Sequence, residues 1–289
     1  MKTYRQKLTI FLFEGIIIFF VLALGIFVAK KASLIIFTQQ IQPFQFSLPE
    51  FLFLFFLGTG LIVLLTYFSK LKKIQGKFFK GIYYFSGGWG VLVTFSLLFS
   101  FFSESFLLNN VLPLVFSFGL LFWRLKSKSV LSHNVFFVFG LVGLSSVLGL
   151  SFQPQTLMFI LAFLCIYDFI AVYKTKHMQK MAKAMLKSGT MMGLIIPHKI
   201  SETKNSVEKI EPGENFLILG GGDIAFPLIF LSSLVPLYHF QKVLVVALFA
   251  FFGILFTLFL FLSQKQGKPM PALPPIIFFT FLGYLFITT

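Results

Sequence analysis

The chain has 289 residues, of which 57% are hydrophobic and 11% charged, and its mean hydropathy is +0.93. Soluble globular domains carry about 25% charged residues, so the composition excludes a soluble enzyme or binding module and describes a polytopic membrane protein. A net charge of +15 would suit nucleic acid, but its distribution along the chain has a simpler cause.

Crossing about 30 Å of hydrocarbon takes roughly 20 apolar residues in a helix. Nine runs of this kind follow one another, at residues 9–29, 51–68, 81–102, 107–123, 133–151, 155–173, 216–237, 242–262 and 270–287. The first follows "MKTYRQK", but its apolar core is longer than that of a secretory signal, and Lys30 and Lys31 come after it, so it reads as a retained span. Glu14, about one turn inside, is expected to snorkel or to bond locally. Spans 1 to 6, within residues 1–173, are joined by short connections into a compact bundle whose most basic turn is "SKLKKIQGKFFK".

Residues 174–214 break the pattern with eight lysines. Their first half, "TKHMQKMAKAMLKSGTMMGL", sets Met and Leu against Lys at helical spacing and predicts an amphipathic helix on the membrane surface. The second half, "PHKISETKNSVEKIEPGEN", is polar with Pro and Gly and predicts a mobile loop. Residues 215–289 supply the last three spans of what is expected to be one integrated membrane domain, all α-helical.

With the N-terminus inside, 21 of the 24 Lys and Arg residues fall on the inner side. This asymmetry predicts a cytosolic N-terminus and an outside C-terminus for a multi-pass protein of the cell membrane, with anionic lipid rather than nucleic acid as the partner of its charge. The single cysteine, Cys165, rules out an internal disulfide and reads as a small buried apolar residue. His133, His177, His198 and His239 lie at predicted span ends or in the basic segment, where an exposed or interfacial histidine is the default. The sequence holds no metal-ligand cluster, nucleotide-binding glycine motif or internal repeat.

Only two aspartates occur, and both interrupt apolar runs: Asp168 in "LCIYDFIAVY" and Asp223 in "LGGGDIAFPL". An ionisable group inside the hydrocarbon costs about 2.5 to 3.5 kcal/mol or more, so two of them need a reason. Span 6 runs inward and Asp168 lies near its end, whereas span 7 runs outward and Asp223 lies near its start. Both carboxylates therefore sit a short way into the cytosolic leaflet, where they can meet. Two carboxylates in so poor a solvent cannot both ionise freely and share a proton. That state serves aspartic proteolysis, with one group activating water and the other protonating the scissile carbonyl. It serves a proton or cation relay in a transporter or channel equally well.

Gly220, Gly221 and Gly222 clear the backbone before Asp223, which permits close helix approach or an extended stretch beside another peptide. The β-prone "NFLIL", Asn215 to Leu219, is placed to offer such a peptide an edge. Four prolines in "KPMPALPP" predict that Pro269 to Pro275 are not regular helix, and irregular backbone at membrane depth needs a protein or wet-cavity lining. By the same topology this stretch lies on the leaflet side of both aspartates. Tyr167, next to Asp168, has a phenol that could bond in the site or contact substrate.

The ordered set of "YD" at Tyr167 and Asp168, G-x-G-D at Gly220 to Asp223, and P-A-L at Pro271, Ala272 and Leu273 resembles the presenilin and signal peptide peptidase family of intramembrane aspartic proteases, most of all its archaeal branch. Span number and N-in orientation match the presenilin arrangement. The resemblance implies an endopeptidase that cuts transmembrane helices of substrate proteins, with Asp168 and Asp223 catalytic and Pro271, Ala272 and Leu273 lining the site. It implies no metal, no organic cofactor and no obligatory partner subunit. Gly221 departs from the pattern, since a larger apolar residue is commoner there, and this bears on substrate preference.

Overall fold

The computed structural model describes residues 4–41, 45–67, 72–102, 105–175, 177–197, 199–210, 216–264 and 270–289. Each of the nine apolar runs contains an apolar helix: α1 (Tyr4–Thr38), α2 (Leu48–Tyr67), α3 (Lys72–Phe99), α4 (Leu112–Lys126), α5 (Val130–Leu150), α6 (Pro154–Ile170), α8 (Gly221–Leu234), α9 (Phe240–Ser263) and α10 (Leu273–Thr288). Among the described residues six helical stretches are long and apolar enough to cross a membrane. Leu48–Gly58, Gly221–Leu234 and Leu273–Thr288 are shorter. Wide turns of π-helix precede α4 at Leu107–Val111 and follow α6 at Ala171–Thr175.

The core forms where α1, α5, α6, α8, α9 and α10 converge, with Ile18, Leu161, Leu228, Phe230 and Ile276 fully buried. In a bilayer, helix association relies on close packing rather than on expulsion of water, so small residues decide which helices touch. The α3–α5 contact shows this. A Cβ added at Gly143 of α5 would collide with the backbone carbonyl of Gly90 on α3, and one at Gly90 with that of Gly140.

The basic segment differs from its sequence reading. The amphipathic helix is present as α7 (His177–Lys187), but it stops seven residues before the predicted end at Leu194. The reason is Gly189, whose φ of +72° ends the helix. The Thr190 N–H reaches the Met185 carbonyl at 3.0 Å and the Gly189 N–H that of Leu186 at 2.9 Å, the Schellman pattern. Gly193–Pro197 is then a strand, β1, paired antiparallel with β2 (Phe216–Gly220) in the register Gly193↔Gly220 to Pro197↔Phe216. The seventh run therefore enters as a strand and becomes helical only at Gly221. That fits the β-prone reading of residues 216–219; Asn215 lies outside the described residues.

The stretch expected to be a mobile loop is docked over residues 199–210. It forms two short 3₁₀ turns, Ile200–Lys204 and Val207–Lys209, and the Val207 N–H donates to the Lys128 carbonyl while the Val130 N–H donates to that of Asn205. Val207 and Ile210 bury against Met185, Leu186 and Ile195. His198 and residues 211–215 lie outside the described residues.

Three polar or proline expectations also change. Glu14 does not snorkel: it is fully buried, and neither carboxylate oxygen has a hydrogen-bond partner among the described residues. His133 is not interfacial but fully buried. Irregular backbone ends at Ala272 rather than Pro275, because Pro274 and Pro275 occupy the first turn of α10, where no N–H is required. Pro269 is outside the described residues. Cys165, expected to be buried, is half-buried against the core.

Candidate active site

Asp168 lies in the last turn of α6 and is 8% exposed. Its Oδ2 accepts the Leu273 backbone N–H at 3.2 Å, and the Ala272 N–H also points at the carboxylate. The proline pattern explains why. A helix start leaves several N–H donors without partners, but Pro271, Pro274 and Pro275 have none to offer. The donors left at the head of α10 are those of Ala272 and Leu273, and both serve Asp168. The P-A-L stretch thus holds this carboxylate at the positive end of a helix dipole. Pro271 and Leu273 are buried and Ala272 is half-buried.

Asp223 is the third residue of α8, after Gly221 and Gly222, with Gly220 as the cap. Its carboxylate turns back to the Gly220 N–H, the half of a capping box that an acid at this position makes. A Cβ on Gly220 would lie 2.9 Å from Asp223 Oδ2, so the glycine keeps that side of the carboxylate open. The two carboxylates are within electrostatic range of each other. Such a pair holding one proton can take a proton from water and give one to a carbonyl oxygen.

Gly221 and Gly222 have different surroundings. A Cβ on Gly222 would meet the Phe226 ring of its own helix at 2.9 Å, whereas one on Gly221 would meet the Phe137 ring of α5 at 2.8 Å and the Met192 carbonyl oxygen at 3.0 Å. The departure at Gly221 thus goes with a bulky neighbour on α5, and its N–H donates to that Met192 carbonyl at 3.1 Å. Tyr167 is half-buried, its ring edge-on to Phe55 of α2 at 5.2 Å.

One group of residues escaped the sequence reading. Arg124, at the end of α4, is 2% exposed. Its Nε donates to the Tyr83 hydroxyl at 3.2 Å, Nη1 to the Ser127 carbonyl at 3.2 Å, and Nη2 to the Gly189 carbonyl. The Tyr83 hydroxyl meets His133 Nδ1 at 2.9 Å, and His133 Nε2 meets the Gly193 carbonyl at 2.9 Å. A carbonyl can only accept, so Nε2 carries the proton and Nδ1 accepts from Tyr83. Beside this chain the Asn134 amide bonds Ile195 twice, giving to its carbonyl at 2.6 Å and accepting from its N–H at 3.0 Å. The adjacent "HN" at the head of the fifth run was the available signal.

The comparisons agree with one another. A family model described as signal-peptide peptidase, presenilin aspartyl protease matches residues 14–288. No curated protein matches. Among solved structures, that of a presenilin family intramembrane aspartate protease in a C222 crystal is similar over 94% of this chain and 94% of its own, with 18% identity and a TM-score of 0.57. A P2 crystal structure of a presenilin family intramembrane aspartate protease is similar over 93% and 96%, with 19% identity and a TM-score of 0.54. At these identities the likeness is one of fold.

Proposed function

The chain belongs to the signal-peptide peptidase, presenilin aspartyl protease family and is an intramembrane aspartyl protease, and from that premise we propose that Asp168 and Asp223 are its catalytic pair. The observation that carries the assignment is their placement: two carboxylates in range of each other, Asp168 at the end of α6 facing the head of α10 and Asp223 in the first turn of α8, with the Ala272 and Leu273 N–H groups on one and that of Gly220 on the other.

One carboxylate takes a proton from water as the water oxygen bonds to the scissile carbonyl carbon. The other, protonated, gives its proton to the carbonyl oxygen, which yields a neutral gem-diol. In the second step the C–N bond breaks, the amide nitrogen receives a proton, and the diol returns one to the pair. No metal or organic cofactor takes part. Ala272 and Leu273 serve Asp168 through their backbone donors with Pro271 lining the site beside them, while Gly220 keeps the approach to Asp223 clear and Gly221 and Gly222 let α8 start close against Phe137 and Phe226.

The chain crosses the cell membrane nine times with its N-terminus in the cytosol and its C-terminus outside, as a six-helix part over 1–173, a cytosolic segment over 174–214 and a three-helix part over 215–289. The positive-inside asymmetry supports this orientation. It acts without an obligatory partner subunit. A transmembrane substrate must be unwound before its carbonyls can be reached, and the outward edge of β2 receives it by strand addition. The ladder fixes which edge that is. The Gly221 N–H bonds the Met192 carbonyl, so alternate residues 192, 194 and 196 face 221, 219 and 217, and Ile218 turns its N–H and C=O away from β1.

Asp168→Asn and Asp223→Asn test the pair. Each should lower cleavage of a single-span substrate by about 10³-fold or more while the protein still extracts folded. Wild-type activity should follow a bell in pH that reports two constants of the pair. Near-normal turnover by either variant would refute the assignment.

A further inference from the structure

A two-stranded sheet has two free edges, and each is a template for another strand. In this hairpin they are not equivalent. On β1 the outward residues are Gly193, Ile195 and Pro197, and α5 holds the first two: His133 Nε2–H donates to the Gly193 carbonyl at 2.9 Å, and the Asn134 amide pairs with Ile195 N–H and C=O together. A carboxamide that both gives to and accepts from one residue reproduces what a neighbouring strand would do there. On β2 the Gly220 N–H serves Asp223, whereas the outward N–H and C=O of Ile218 have no partner among the described residues, and the residue is only half-buried.

We propose that Asn134 is a positioning residue for substrate: by holding the outer edge of β1 as a surrogate strand, it ties the hairpin to α5 and leaves β2 as a single preorganised edge beside Asp223. The inference rests on the strand-addition reading above. It turns on backbone pairing rather than charge. Asn134 touches neither carboxylate, and its effect passes through Ile195, across the ladder to Leu217 and Leu219, and into Gly221. His133 supports the same strand one pair of groups further along. The Gly193 carbonyl fixes its tautomer, and the Tyr83 hydroxyl, which Arg124 in turn holds, donates to its Nδ1.

A preorganised edge lowers the cost of ordering two chains at once, so its loss should fall on binding more than on chemistry. The test uses the full-length protein in detergent with a single-span substrate. Asn134→Leu, which keeps bulk but removes both bonds, should raise KM by about tenfold while kcat stays within about twofold. Asn134→Asp can still accept the Ile195 N–H but cannot donate to the carbonyl, and it should fall between. Titration with a transition-state-mimicking aspartyl protease inhibitor counts folded active sites. An unchanged KM with fewer titratable sites would mean that Asn134 only stabilises the fold and would overturn the inference. A second measurement separates the two readings: with an added mild oxidant to take up the two electrons, Ile218→Cys should form a disulfide with a cysteine placed in the substrate near its cleavage site. If that pair never forms in otherwise wild-type protein, strand addition at β2 is wrong. If it forms equally well with and without Asn134→Leu at equal KM, strand addition stands and the role of Asn134 falls.

Discussion

Two helices that flank the site are held in opposite ways. Most of α5 is buried, seated against α3 by glycines and against β1 by His133 and Asn134. No described side chain of α2 is buried. It reaches the core through Leu48 and through rings, with Phe55 edge-on to Phe163 at 5.6 Å and to Tyr167 at 5.2 Å, and Phe51 near Phe152 at 6.3 Å. Backbone-tight contacts have one arrangement, whereas ring-edge contacts tolerate several at similar energy. The structure thus pairs a fixed wall, which sets the geometry of Asp223, with a loosely seated one beside Asp168.

The glycines offer the hardest test of that contrast. Gly143→Leu should cost more than about 3 kcal/mol or prevent folding, because the backbone of Gly90 cannot move aside. Gly58→Leu on α2, where a Cβ meets nothing within 4 Å, should leave thermal unfolding in detergent unchanged or raise stability by about 1 kcal/mol. Equal losses from the two would erase the distinction.

A smaller effect tests the fixed wall where it meets the site. Gly221→Leu should lose about 2 kcal/mol against the Phe137 ring. Phe137→Ala in the same protein should return a good part of it, with a coupling of about 1 to 2 kcal/mol in a double-mutant cycle. Additive losses would show that the ring and the glycine are not complementary. On the loose wall, Phe55→Ala should cost only about 1 kcal/mol, and the rise in hydrogen exchange should be confined to α2. Faster exchange throughout α5 would contradict the separation.

The smallest effect lies at the rim of the fixed wall, where Lys128 Nζ and Glu208 Oε1 are 2.9 Å apart and partly exposed. The lysine, with Lys80 and Arg124 further off, holds the Glu208 carboxyl below its ordinary value of 4.5. A depressed carboxyl contributes stability that is present above that value and lost as pH falls through the lower one. Glu208→Gln should therefore cost about 0.5 kcal/mol at neutral pH and nothing measurable once the pH is well below 4.5. A deficit that persisted in acid would assign the loss to packing.

What could be read in the sequence follows from how each feature is encoded. A membrane helix is written in one continuous run, and every apolar run does contain a helix. The motif residues are conspicuous because an acid, a glycine triplet or a proline cluster is chemically odd in an apolar stretch. Pairing of β1 with β2 is encoded in two separate runs, and the first, "GLIIP", looks like the tail of an amphipathic helix until Gly189 is seen to end it. Arg124, Tyr83 and His133 are ordinary interfacial residues one at a time. Only the fold makes them a buried chain, with Asn134 beside it. Glu14 differs from its expectation for the same reason: whether an acid near a helix end can reach water depends on which face it occupies, and Glu14 shares the buried face of α1 with Ile18 while Leu12 and Ile16 take the exposed one.

The bond from the Gly221 N–H to the Met192 carbonyl belongs to the ladder by position but lies in the first turn of α8. Strand and helix therefore share a rung, and Asp223 is two residues past it. A strand cannot creep along its partner by fractions. It moves by whole residues, and a shift of one turns every side chain to the opposite face. Whatever alters the alignment of β1 and β2 is thus expected to act on this enzyme as a switch rather than a dial, with each molecule either fully in gear or out of it. A sample half inactivated in this way would hold two populations, one at full speed and one stalled, and single-molecule turnover could count them.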